Sequence, residues 1–125
     1  MLLFFALTTG SGVYAQRPVC ASMGTNNSVG CYNQVVTFTV ILNENSQGQP
    51  LTWTINMDNP NNHLGPTFVN TRTLMVQSEA TAGANIITVN TGQVPGVFTV
   101  NLKFDNYPEI GTCSASLKVA ANCGQ

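Results

Sequence analysis

Charge is what this chain most lacks. It holds five acids and four bases among 125 residues, or 7% charged, where about 25% is usual for a soluble domain. Neutralising nucleic-acid phosphates takes a patch of Lys and Arg. Arg17, Arg72, Lys103 and Lys118 are too few and too scattered to form one, which excludes a nucleic-acid partner. His63 is the only histidine, so a metal site built on several His or carboxylates has no ligand set, and no cofactor is expected. No glycine-rich phosphate loop occurs, because Gly10, Gly12, Gly24 and Gly30 lie in ordinary polar or turn contexts. Long apolar runs are absent too. Met1 to Leu7 is short of the roughly 20 residues that span a bilayer, so no transmembrane segment is expected. No stretch carries a 3.6-residue apolar period, which leaves almost no helix to expect.

What replaces charge is asparagine and threonine, fifteen of each. Hydrophobic residues make up 43%, too many for a chain disordered by composition. Thr, Val and Ile suit pleated strands, and Asn suits turns. Period-2 alternation and turn punctuation divide the chain into about seven strands. They fall near residues 18–23, 34–42, 51–57, 71–77, 85–90, 96–105 and 112–120. The second and sixth are the clearest. Val36, Phe38, Val40 and Leu42 alternate with Thr37, Thr39 and Ile41, and Phe98, Val100, Leu102 and Phe104 alternate with Thr99, Asn101 and Lys103. In the third, Leu51, Trp53 and Ile55 point inward. Strands at this spacing predict a single β-sandwich over residues 16–125. Residues 1–15 read as a signal peptide or an N-terminal extension. An apolar run is followed by Val13-Tyr14-Ala15, an A-x-A-like cleavage pattern, although no base precedes the run. A secreted or cell-surface location follows. Four cysteines, Cys20, Cys31, Cys113 and Cys123, fit two disulfides in that setting. Gaps of ten and nine residues without a C-x-x-C argue against zinc.

The segments "VVTFTV", "PLTWTI", "PGVFTVNLKFDN" and "GTCSASLKVA" resemble immunoglobulin-like and PKD-like modules of bacterial surface proteins. The resemblance covers roughly residues 33–120. It implies a seven-stranded immunoglobulin-like sandwich with Trp53 in its core, an extracellular structural setting, and no catalytic residue. The chain departs from the PKD-like pattern after the Trp, where Trp53-Thr54-Ile55-Asn56-Met57-Asp58 replaces W-x-F-G-D-G. In a seven-stranded sandwich the first and last strands begin at one end, which pairs Cys20 with Cys113. The second strand begins where the last one ends, which pairs Cys31 with Cys123.

The remaining candidates for chemistry are thin. His63 near Asp58 is half of a hydrolase arrangement, but a lone loop His is usually solvated. Glu44 and Glu79 would have to converge by fold alone to act as a glycosidase pair. Trp53 alternates with Leu51 and Ile55, which favours the core over an exposed sugar platform. Tyr14, Tyr32 and Tyr107 are the better candidates for exposed aromatics. Asn26-Asn27-Ser28 is an N-glycosylation sequon at Asn26, and outward Thr residues offer O-glycan sites. Two function classes fit. The first is a non-enzymatic structural subunit that assembles with copies of itself into an extracellular filament, with Val35, Ile41 and Val97 as a contact face and strand donation from the N-terminus as a means. The second is an adhesin or carbohydrate-binding module whose loops 44–50 and 58–66 contact glycans.

Overall fold

The computed structural model of the protein describes residues 17–27, 29–59 and 62–121. These contain nine strands: β1 Cys20–Thr25, β2 Val29–Gly30, β3 Val35–Leu42, β4 Pro50–Met57, β5 Thr67–Phe68, β6 Met75–Glu79, β7 Gly83–Asn90, β8 Gly96–Phe104 and β9 Thr112–Val119. Among the described residues the only helical elements are two three-residue 3-10 turns, Glu44–Ser46 and Pro108–Ile110. The strands form two sheets, ordered β1-β3-β7-β5 and β2-β9-β8-β4-β6. All pairings are antiparallel except β2 with β9.

Alternation places the core. Val36, Phe38, Val40 and Leu42 of β3 are buried, as are Leu51, Trp53 and Ile55 of β4 and Phe98, Val100, Leu102 and Phe104 of β8. Because successive side chains on a strand point to opposite faces, each of these strands gives one apolar face to the space between the sheets. Phe68, Val89, Leu117 and Val119 complete that layer. Phe38 and Phe98 meet across it with ring centroids 5.9 Å apart and planes tilted by 56°, within the range where aromatic pairs attract. Each such side chain contributes about 1.5–3 kcal/mol when fully buried.

Two expectations need correction. The strands number nine rather than seven, because β2 and β5 hold two residues each, too few to produce an alternation. The strand expected at 71–77 begins only at Met75. Thr71 and Arg72 instead belong to a turn closed by the Arg72 amide donating to the Phe68 carbonyl, 2.8 Å. As for the cysteines, one disulfide rather than two is described in full. Cys20 joins Cys113, with Cα atoms 6.3 Å apart, and ties the first strand of one sheet to the last strand of the other. Cys31 is also disulfide-bonded. Cys123, expected as its partner, lies outside the described residues, as do residues 1–16 with the expected cleavage site.

Candidate functional site

The residues singled out for chemistry do not come together. His63 and Asp58 are both exposed and line different depressions. Glu79 lines a groove between β7 and β6, whereas Glu44 does not. Among the described residues no three His, Cys, Asp or Glu side chains cluster. Trp53 is 2% exposed, with its indole N–H donating to Ser78 Oγ at 2.9 Å, so it belongs to the core. Tyr32 and Tyr107 are not free aromatics but half-buried against the core, and Tyr14 lies outside the described residues. Asn26 is exposed, and its Oδ1 accepts the Thr37 amide at 3.0 Å. Ser28 of its sequon is outside the described residues.

Two composite surfaces proposed by the sequence also fail. Val35 and Ile41 lie on β3 and Val97 on β8, in different sheets, so they cannot form one contact face. Loop 44–50 precedes β4 and loop 58–66 follows it. An eight-residue strand spans about 26 Å, which puts these loops at opposite ends of the sandwich.

Two other features are built by the fold. The first is an open flank. Strand β5 covers only Asn90 and Val89 of β7, and the chain then crosses to the other sheet to form β6. One further bond on that side runs from the Val69 amide to the Thr88 carbonyl, 3.1 Å. In an antiparallel ladder such groups recur every second residue on the same side. The N–H and C=O groups of Ala84 and Ile86 therefore project from this edge, and among the described residues no strand pairs with them. Ile86 is 63% exposed. Gly83–Asn90 carries neither a charge nor a proline, the usual guards of an edge strand. Between this edge and β6 runs a groove of about 420 Å³, floored by Trp53, Phe68, Val76 and Ile87.

The second feature is a polar depression of about 520 Å³ at one end of the sandwich. Three loops brace one another beneath it. The Asn33 amide donates to the Gly92 carbonyl at 2.8 Å, and the Gln93 amide donates to the Leu64 carbonyl at 2.7 Å. Asn90 Oδ1 accepts the Gly92 amide at 2.9 Å. Gly92 permits this contact, because a Cβ there would lie 2.5 Å from the backbone of Gly65, and its φ is +73°. Thr91, fully buried, accepts the Gln34 amide at 3.0 Å and donates to the Cys31 carbonyl. Above this floor stand His63, Leu64, Arg72, Asn33, Asn90 and Gln93. Asn33 and Arg72 are the only non-glycine residues with positive φ among the described residues, at 57° and 58°. Asn tolerates that conformation, but a residue such as Arg pays about 1–2 kcal/mol for it. Sequence reasoning missed both features. No local pattern reports how short β5 is, or that the loops around residues 33, 63, 72 and 92 meet.

No protein-family model matches the chain, and no curated protein matches it at a significant level. Solved structures do resemble it. The human F-spondin reeler domain aligns over 79% of this chain and 88% of its own, at 8% identity and a TM-score of 0.50. WR4, a C. elegans member of the MSP family, aligns over 78% of this chain and 97% of its own, at 15% identity and a TM-score of 0.42. BslA, a bacterial hydrophobin, aligns over 79% and 97%, at 12% identity and a TM-score of 0.43. The reeler likeness shows a shared β-sandwich fold, and at that identity nothing more. The other two carry no functional weight.

Proposed function

We propose that the protein is a non-enzymatic extracellular structural subunit that assembles with copies of itself into a filament at the cell surface. The observation that carries this reading is the open edge of β7. Unpaired N–H and C=O groups accept an added strand, and the half-buried Val76 and Ile87 on the groove floor offer it apolar contacts. Low charge weakens repulsion between copies. A disulfide suits an oxidising compartment outside the cell. An added strand would come from a neighbouring subunit, and a head-to-tail contact of that kind propagates unless rotation closes a ring. In this reading the fold is an immunoglobulin-like sandwich, Cys31 with Cys123 forms its second staple, and Asn26 carries an N-glycan in a host that glycosylates.

The test is light scattering and negative-stain microscopy of the purified protein beside an Ile86→Lys variant. Ile86 is exposed, so the variant folds. A charge at the centre of the edge opposes strand addition. Filaments from the parent and dispersed particles from the variant are expected. A parent that stays monomeric at high concentration overturns the reading. The polar depression favours a second reading, an adhesin or carbohydrate-binding module, which retention of the protein on a glycan array would support.

A further inference from the structure

We infer that the depression around Arg72 is a binding site for a carboxylate-bearing sugar residue of the uronic acid type. The inference rests on the binding-module reading and is independent of self-assembly.

Arg72 is strained. Its backbone sits at φ 58° in a tight turn, where glycine or asparagine is the residue that local energetics selects. An arginine held there serves something other than the turn. Its side chain does not serve an internal ion pair either. The ion pair found among the described residues joins Arg17 to Glu109, and no Asp or Glu lines the depression. The depression therefore presents one permanent positive charge with no counter-charge, in a protein that has only four basic residues to place.

The surroundings specify the rest of the ligand. A guanidinium fork matches a carboxylate through two parallel hydrogen bonds. Asn33, Asn90, Gln93 and His63 supply donors and acceptors of the kind that fix hydroxyl groups. Leu64, 48% exposed, gives an apolar surface for the C–H face of a pyranose. The loop amides and carbonyls beneath are bonded to one another, so the floor is preorganised and binding orders little further. At about 520 Å³, the volume lies within the range of roughly 300–1,000 Å³ common to small-molecule sites.

The experiment titrates the full chain with trigalacturonate, followed by calorimetry and amide chemical shifts, with neutral galactose trisaccharide and a sulfated galactose trisaccharide as comparison arms. It is run on the parent and on Ile86→Lys, so that a loss of assembly is not mistaken for a loss of binding. Trigalacturonate should bind saturably, shift the amides of Asn33, Leu64 and Arg72, and weaken as salt rises. Arg72→Gly should weaken binding at least tenfold while leaving the melting temperature unchanged or higher, because glycine relieves the left-handed strain. Arg72→Lys should keep the charge and still lose most of the affinity, because the fork is gone. Equal binding of the neutral trisaccharide overturns the inference, as does preference for the sulfated one. So does an Arg72→Gly variant that binds normally, or one that melts well below the parent, since the arginine would then be held for the fold. No saturable binding of trigalacturonate by the parent overturns it outright. A parent that binds without forming filaments leaves this inference standing and removes only the structural-subunit reading.

Discussion

Replacing Trp53 by alanine tests the core and the groove together. Trp53 lies mid-strand on β4, opposite Val76 on one side and Leu102 on the other, and is 2% exposed. Its truncation removes the largest side chain between the sheets and deepens the groove it floors into the core. Such a truncation costs about 3–5 kcal/mol, as lost transfer energy plus a residual cavity. The hydrogen bond to Ser78 adds little, because Ser78 is exposed and water replaces the indole. Against a typical stability of about 5–15 kcal/mol, the variant still folds but with a large fraction of its margin gone. With a urea m-value near 2 kcal/mol/M, the midpoint falls by roughly 2 M. Far-UV circular dichroism in urea, with the disulfides oxidised, measures it without relying on tryptophan fluorescence. Trp53→Phe is the control, since it keeps most of the volume, and the part of the indole it removes costs about 1–2 kcal/mol. A Trp53→Ala loss below about 1 kcal/mol would refute the reasoning, because a core tryptophan cannot be removed so cheaply.

Replacing both Cys20 and Cys113 by alanine should lower stability by about 4–5 kcal/mol, the chain-entropy value for a loop of this length, across their sequence separation of 93; a melt of the oxidised parent beside the double variant reads it. Gly92→Ala should destabilise by about 2 kcal/mol or more, since its Cβ would meet the Gly65 backbone at 2.5 Å, and chemical denaturation checks this. Glu109→Gln should change stability by no more than about 1 kcal/mol, since the Arg17 and Glu109 side chains are 51% and 55% exposed, and added salt should shrink the difference further.

The long strands were legible because their pattern is local. Val36 to Leu42 and Phe98 to Phe104 repeat with period 2 in the sequence and are buried with period 2 in the fold. Trp53 was legible for the same reason, and Cys20 with Cys113 followed once the first and last strands were known to start at one end. Strand β6 was harder to place. In residues 71–77 the apolar Leu74, Met75 and Val76 are adjacent, so alternation does not mark where the strand starts, and Arg72 before them adopts φ 58°, a choice that arginine gives no sign of. Tyr32 and Tyr107 were misjudged because a tyrosine at a loop can fold its ring back on the core while its hydroxyl stays wet. Loops 44–50 and 58–66 were rich in Asn and Gln, but composition carries no information about which end of a strand a loop occupies.

The open edge of β7 and the polar depression around Arg72 share one origin, the shortness of β5. Had the chain continued as a strand past Phe68, it would have covered Ile86 and Ala84, and β7 would have no open edge. It turns at Val69 instead, and the same turn that leaves β7 uncovered lifts Arg72 to the rim of the polar depression. Extending β5 by pairing residues 69–73 with β7 would thus close the groove and withdraw the arginine in one step. A two-residue strand is invisible to periodicity, since alternation needs at least four positions to be counted. The part of this protein that is hardest to read from its sequence is therefore the part that leaves the edge of β7 uncovered. Strand β5 is also held by few bonds: two ladder positions to β7, the Val69 amide to Thr88, and the internal bonds of its turn. A segment held so lightly opens at lower free energy than the β3–β7 ladder behind it. Hydrogen exchange should therefore release the amides of Phe68, Val69 and Arg72 well before those of Phe38 and Val40, and protection of the Val69 amide equal to that of Val40 would show that the short strand is fixed by contacts other than its own ladder.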